Sequence, residues 1–225
     1  VIDGVFNHCS WYFPQFSDVV EKGESSEYAN WFYQLQFPVI RPATEEEKPK
    51  YSCFAYERKM PKLNSSNPEE RAYFIEVCRY WIREFKVDGW RLDVANEVDR
   101  GFWRDFHRAA HEENPESVMI GEIWESSETW LNGDMFDSTM NYDFRKNCRD
   151  FFALRKISAE EFHDRIVKML LRYRTGTLRG QLNLLDSHDV NRFLSYCEGD
   201  LRRFRLAEVF LFTSPGIPCV FYGDE

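Results

Sequence analysis

Val87-Asp88-Gly89-Trp90-Arg91-Leu92-Asp93-Val94-Ala95-Asn96-Glu97 is the stretch that decides the fold. It begins as a strand, and Gly89 leaves room for close packing. Side chains alternate sides along a strand. Gly89, Arg91 and Asp93 therefore share one face, with Trp90 and Leu92 on the other. A guanidinium two residues before a carboxylate on the same face holds that carboxylate ionised and fixes its direction. That suits a nucleophile better than a proton donor. A plain structural alternative stays open here: a strand-end ion pair that satisfies two buried charges, since such pairs perturb titration too.

Strand and helix signals alternate on both sides of this stretch. Upstream, Val1 to Val5 reads as a strand carrying Asp3, and Phe6-Asn7-His8 as the loop leaving it. Asn67-Pro68-Glu69-Glu70 opens a helix, with Asn67 as cap, Pro68 at the first helical position and Glu70 completing a capping box. Phe74, Val77, Cys78, Trp81, Ile82 and Phe85 follow at helical spacing and predict one apolar stripe. Downstream, a helix is expected over 101–112, buried through Phe102, Phe106, Ala109 and Ala110. Strands follow over 117–124 and 136–142. Helical segments run to 173, with Phe162, Ile166, Met169, Leu170 and Tyr173 on one face. A strand over 181–188, a helix over 201–212 stopped by Pro215-Gly216, and a strand over 217–222 complete the series.

Strand then helix, repeated with continuous apolar strands, means a parallel sheet with helices outside. An open doubly wound sheet and an incomplete eight-stranded barrel both fit the element count. Polar residues separate them. Asn7 and His8, Asp93, Glu122, and His188-Asp189 all fall at the carboxyl ends of different strands, which is the barrel pattern. No Gly-rich phosphate loop follows any strand, which disfavours a nucleotide-binding sheet. The expected fold class is α/β, an incomplete TIM (β/α)8 barrel. Between Cys9 and about Met60 the periodicity breaks down. Trp11, Tyr12, Phe13, Trp31, Phe32, Tyr33 and Phe37 stand among Pro, Ser and charges, and Thr44 to Lys50 reads as a solvated loop. A structureless loop of that length is unusual in a compact domain. The expected organisation is thus the start of the barrel at 1–8, a small excursion domain at 9–62 and the remainder of the barrel at 63–225.

Composition bounds the function. The 225 residues are 43% hydrophobic and 30% charged, as in a globular chain. Acidic residues outnumber basic ones 38 to 29, a net charge of -9 that argues against a nucleic-acid partner bound through phosphates. No apolar run reaches the length of a membrane span, so no membrane partner is expected. The six cysteines form no C-x-x-C pair, which favours a cytoplasmic home over a disulfide scaffold or a zinc site. Aromatic residues reach 17% with seven Trp. Sugar-binding clefts use aromatic faces as platforms, although most of these rings are expected in the core.

Two carboxylates in different environments can run glycoside hydrolysis. Asp93 beside Arg91 fits the nucleophile. Glu122, between Ile120-Gly121 and Ile123-Trp124, has the apolar setting that keeps a proton available for general acid catalysis. The alternative for Glu122 is a capping or salt-bridged acid. In Leu184-Leu185-Asp186-Ser187-His188-Asp189, an adjacent His and Asp can grip neighbouring sugar hydroxyls, or ligate a metal.

With these four stretches in this order, the sequence resembles the α-amylase family of retaining glycoside hydrolases. Asp3-Gly4-Val5-Phe6-Asn7-His8 is similar to that family's first conserved region. Gly89 to Asp93 is similar to the second, Gly121 to Trp124 to the third and Ser187-His188-Asp189 to the fourth. The resemblance runs over the whole chain and implies barrel strands 3 to 8. It implies Asp93 as nucleophile, Glu122 as acid/base and Asp189 as the acid that binds and distorts the sugar. It also implies that His8, Arg91 and His188 hold the first sugar, that Asp3 supports Arg91, and that Trp124 contacts substrate. Met60-Pro61-Lys62-Leu63-Asn64 and Asn96-Glu97 are similar to the neopullulanase, cyclomaltodextrinase and maltogenic amylase subgroup, which places Glu97 on the leaving-group side. Glu125 departs from the His expected after Gly-Glu-Ile-Trp. The partner implied is an oligo- or polysaccharide α-glucan, with hydrolysis accompanied by some transglycosylation, and the full-length protein is expected as a homodimer.

No cofactor is expected. Asn7 is a calcium ligand in many α-amylases, but no His stands at position 97, so calcium is not expected here. A non-catalytic α-amylase-like binding or transporter-associated subunit is the competing function, and a metal-dependent barrel hydrolase a minor one. Val1 is not an initiator Met and starts mid-strand, so the chain is expected to be a piece of a longer protein.

Overall fold

The computed structural model describes residues 1–44 and 46–225. Glu45, in the stretch expected to be a solvated loop, lies outside the described residues. The chain forms two compact units, Val1–Met119 and Ile120–Glu225.

In the first unit, β1 (Ile2–Gly4) pairs in parallel with β2 (Gly89–Leu92), with Asp3 opposite Arg91. β3 (Val118–Gly121) starts beside β2, where the Val118 N–H donates to Asp88 O at 2.9 Å. A Cβ on Gly89 would lie 2.0 Å from the Val118 carbonyl oxygen. Only glycine lets β2 approach β3 this closely.

Helices α1 (Pro14–Lys22), α2 (Pro68–Phe85) and α3 (Arg100–Glu113) complete this unit. Phe6, Phe74, Trp90, Phe102, Trp103 and Phe106 form its core, and Phe6 packs on each of the other five rings with centroids 5.0 to 6.3 Å apart. Asn67 caps α2 by accepting the Glu69 and Glu70 N–H groups. The expected capping box does not close. The Asn67 N–H donates instead to Asn64 O, and the Glu70 carboxyl turns inward, 0% exposed and with no hydrogen-bond partner. The apolar stripe is also narrower than predicted. Phe74, Cys78 and Ile82 are buried, whereas Trp81 and Phe85 are 38% and 56% exposed and lie ring to ring at 4.7 Å. Helical spacing fixes which residues share a face but not how wide a face the neighbours cover.

Residues 9–62 hold α1 and short 3₁₀ turns rather than long elements. Phe16, fully buried, packs edge-on against Phe32 and Tyr51 at 5.0 and 4.9 Å. Antiparallel bridges Cys53↔Pro61 and His8↔Lys62 bring the end of this stretch back to its start.

The second unit carries the end of β3, then β4 (Ser138–Asn141), β5 (Leu182–Leu184) and β6 (Ile217–Cys219), all in parallel register. Helices α4 (Tyr142–Cys148), α5 (Ala159–Leu171), α6 (Thr175–Gly180), α7 (Phe193–Tyr196) and α8 (Leu201–Thr213) lie between these strands. The strand order is β1-β2-β3-β4-β5-β6. The strands are shorter than predicted. Tyr142 opens a helix, with Asn141 capping it through the Phe144 N–H, rather than ending a strand. The expectation of continuous apolar strands also fails. Ser138, Thr139 and Asn141 are buried, with Thr139 donating to Gln181 Oε1 at 2.7 Å and Asn141 to Asn183 Oδ1 at 2.8 Å. Thr139 and Asn141 are tolerated there because their bonds are satisfied, whereas the Ser138 hydroxyl has no partner among the described residues.

Candidate active site

In the first unit the strand-end acids take shape around one guanidinium. Arg91 Nη1 lies 2.6 Å from Asp93 Oδ1 and 3.0 Å from Asp3 Oδ1. The register that sets Asp3 opposite Arg91 and the two-residue spacing that sets Asp93 on the same face produce this cluster directly. The Asp93 N–H donates to Gly4 O at 3.0 Å, so the backbone is tied to β1 at the point where the side chain emerges. Val94 then adopts a left-handed conformation (φ 45°), a costly one for a β-branched residue. It turns the chain sharply away and leaves Asp93 at the strand's end. Trp103 holds the turn by donating from Nε1 to Ala95 O at 2.8 Å.

His8 stacks on Phe54 with ring centroids 4.6 Å apart and planes only 4° from parallel. Burial, aided by the Lys62 ammonium, holds its imidazole below the ordinary value, so the ring is neutral at neutral pH. Lys62 joins two of the expected site residues: its Nζ donates to Asn7 Oδ1 at 2.5 Å and to Glu97 Oε2 at 3.0 Å. A lysine ammonium on the Asn7 carbonyl supplies positive charge where a calcium ligand set needs oxygen donors. This donor set does not fit a divalent cation.

In the second unit Glu122 emerges from β3 almost fully buried, and Trp124 Nε1 donates to its Oε1 at 3.0 Å. Trp124, 49% exposed, stacks on Tyr142 at 4.2 Å with planes 10° apart. The Tyr142 hydroxyl lies 3.1 Å from Ser187 Oγ. Past β5, Ser187 Oγ accepts the Asp189 N–H at 3.3 Å, and His188 Nε2 lies 3.1 Å from Asp189 Oδ2. Tyr142 thus links Glu122, through Trp124, to the Ser187-His188-Asp189 loop.

The structure therefore assembles Asp3, Arg91 and Asp93 in one cluster, His8 and Glu97 around Lys62 and Phe54, and Glu122, Trp124, His188 and Asp189 around Tyr142 and Ser187. Sequence reasoning missed Lys62, Phe54 and Tyr142. Lys62 lies inside the pentapeptide Met60 to Asn64, so a signal was present. Nothing local marks Phe54 or Tyr142 apart from aromatic character.

The family model described as α-amylase, catalytic domain, matches residues 1–225. A cyclomaltodextrinase of Thermoanaerobacter pseudethanolicus is 46% identical over 226 residues, all of this chain and 39% of that protein. Neopullulanase 2 of Thermoactinomyces vulgaris is 45% identical, over all of this chain and 38% of its own length. Among solved structures, a cyclomaltodextrinase matches with TM-score 0.94 at 44% identity, covering 100% of this chain and 38% of that one. A cyclic α-maltosyl-(1→6)-maltose hydrolase from Arthrobacter globiformis matches with TM-score 0.94 at 38% identity, covering 100% of this chain and 50% of its own. The chain spans about two fifths of the length of the curated relatives it matches, 39% and 38% for the two above.

Proposed function

The chain belongs to the α-amylase catalytic-domain family, with the fold of a partial TIM barrel, and on that premise we propose that it carries the catalytic groups of a retaining glycosidase acting on α-glucans or cyclomaltodextrins. The observation that carries this reading is the Asp3–Arg91–Asp93 cluster. A carboxylate fixed by a guanidinium at 2.6 Å is oriented and kept ionised, as a nucleophile must be.

In the proposed reaction, an Asp93 oxygen attacks the anomeric carbon while Glu122 gives its proton to the departing glycosidic oxygen. A glycosyl ester of Asp93 results. Glu122, now a carboxylate, takes a proton from water, whose oxygen attacks the same carbon and releases Asp93. An acceptor sugar hydroxyl in place of water gives transglycosylation. The hydrogen bond from Trp124 fixes the Glu122 carboxyl in direction. Asp189 and His188 grip hydroxyls of the sugar as it distorts, Arg91 and neutral His8 hold the same residue, and Asp3 braces Arg91. Glu97, pinned by Lys62, faces the leaving group.

The relatives' names support cyclodextrins and related maltosyl substrates as the substrate class. Lys62 on Asn7 supports a reaction that needs no calcium there. The six cysteines are all free, which supports a reducing compartment. Among the described residues no helix is long and apolar enough to cross a membrane. The test is product analysis of the complete protein on cyclodextrin, pullulan and starch, with proton NMR of the first product. The expected result is turnover, fastest on cyclodextrin, with the α-anomer appearing first. A β-anomer appearing first overturns the two-step mechanism, and no turnover on any of the three favours a non-catalytic binding role.

A further inference from the structure

Behind the Ser187-His188-Asp189 loop lies a second pair of acids with no part in the reaction above. Asp186, at the exit of β5, is 2% exposed. Its Oδ2 accepts the Phe193 N–H, at the start of α7, at 2.9 Å. Its Oδ1 is buried and receives no hydrogen bond from any amide, hydroxyl or cationic group among the described residues. The Asp224 carboxyl, in the turn after β6, stands within hydrogen-bonding reach of the Asp186 carboxyl. Two carboxyl groups can bond to each other only if one of them keeps a proton to donate.

Asp224 is gripped from its other side by Arg192. Arg192 Nη1 lies 3.3 Å from Asp224 Oδ1 and donates to Tyr222 O at 2.6 Å. The guanidinium lies over the rings of Phe221 and Tyr222, at 4.8 and 4.6 Å from their centroids. The Asp224 N–H donates to Phe221 O at 3.0 Å and tightens the same turn. The loop from 186 to 193 is thus tied at both ends to one turn: Asp186 holds it at the start, Arg192 at the finish. His188 and Asp189 lie between the two anchors.

We propose that Asp186 and Asp224 share one proton and act as a positioning pair that holds the 186–193 loop, and with it Asp189, in working geometry. The inference rests on the role proposed above for Asp189. Burial, and then the neighbouring Asp186 carboxylate, push the Asp224 carboxyl up to about 7. Cys219 of β6 and Glu225 are the other titratable groups beside Asp224 among the described residues, and Cys197, just past α7, faces Asp186. Burial raises both thiols above their ordinary value, so they stay neutral. Arg192 is the cation and Asp186 the anion that govern Asp224. Below about pH 7 the pair carries a single negative charge against the Arg192 guanidinium. Above it two buried carboxylates face each other, the shared bond is lost, and repulsion opens the loop.

The test uses the complete protein and two variants, Asp224→Ala and Asp224→Asn. The alanine variant is expected to lose kcat on a maltooligosaccharide by about 10- to 100-fold, with KM changing less, because the loop is released. The asparagine variant keeps a donor for the Asp186 carboxyl without titrating. It is expected to rescue kcat at pH 6 and to hold it at pH 8.5, where the unaltered protein declines. Melting temperatures give a readout independent of turnover. Between about pH 4 and 7 the unaltered protein is expected to lose stability that Asp224→Asn keeps, because only the folded Asp224 holds its proton there. If the complete protein does not cleave α-glucans, the proposed function fails while the melting profiles still decide the pair. Equal pH slopes for the unaltered protein and Asp224→Asn, or an unimpaired Asp224→Ala, overturn the proposal.

Discussion

Asp93 takes its direction from Arg91 at 2.6 Å and its place from a backbone bond to Gly4. The strained Val94 after it shows that the chain turns here at a cost, and such strain persists only where surrounding structure over-determines it. The bonds from Trp103 to Ala95, and from Arg71 to Asp99 at 2.7 Å, provide that restraint. Asp93→Asn removes the nucleophilic oxygen's charge with little change in volume. Turnover by the complete protein is expected to fall by more than about a hundredfold, with the circular dichroism spectrum unchanged. Activity above that level in the purified variant assigns the attacking group elsewhere.

At the scale of the element, α2 shows a helix whose start is well capped and whose first turn is nevertheless unfavourable. Asn67 satisfies two N–H groups, but Glu70 is buried with neither oxygen bonded. Burial raises its carboxyl to about 8, against the partial relief given by Arg71. The folded state keeps the Glu70 proton where the unfolded chain gives it up, so this group's contribution is complete below about pH 4.5 and is lost as pH rises to about 8. Glu70→Leu replaces an unpaired acid by an apolar group of similar length. It is expected to stabilise the protein by about 1–3 kcal/mol at pH 8 and by less at pH 5. Urea titrations at the two pH values measure this, and a variant no more stable than the parent at pH 8 contradicts the account.

Across the whole molecule, several of the apolar residues left in solvent fall along the same elements. In the first unit, Tyr80, Trp81 and Phe85 cluster along α2. In the second, Leu206, Val209 and Phe212 stand out from α8, and Ile217 and Val220 are exposed in and after β6. Contiguous apolar surface of this kind marks surface that is covered by other protein or drives association. Residues 1–225 expressed alone are therefore expected to elute from size exclusion as aggregates. A monodisperse monomer that keeps these side chains in solvent runs against that expectation.

Periodicity alone determined much of this protein. A repeat of two put Arg91 and Asp93 on one face of β2, and repeats of three and four placed α2, α3 and α8 to within a residue or two. The positions of Asn7, His8, Asp93, Glu122 and Asp189 beyond strand ends were legible too, because a strand's end is marked locally by where its apolar run stops. Other features came only from tertiary structure. Lys62 meets Glu97 across 35 residues, Arg71 meets Asp99 across 28, and Asn141 meets Asn183 across 42. The buried Glu70, the exposed Trp81 and Phe85 and the polar interior of β4 belong to the same class. A residue's spacing says which neighbours along the chain share its face. Whether that face is covered, and whether a polar group on it finds a partner, depends on segments far away in sequence that packing alone brings near.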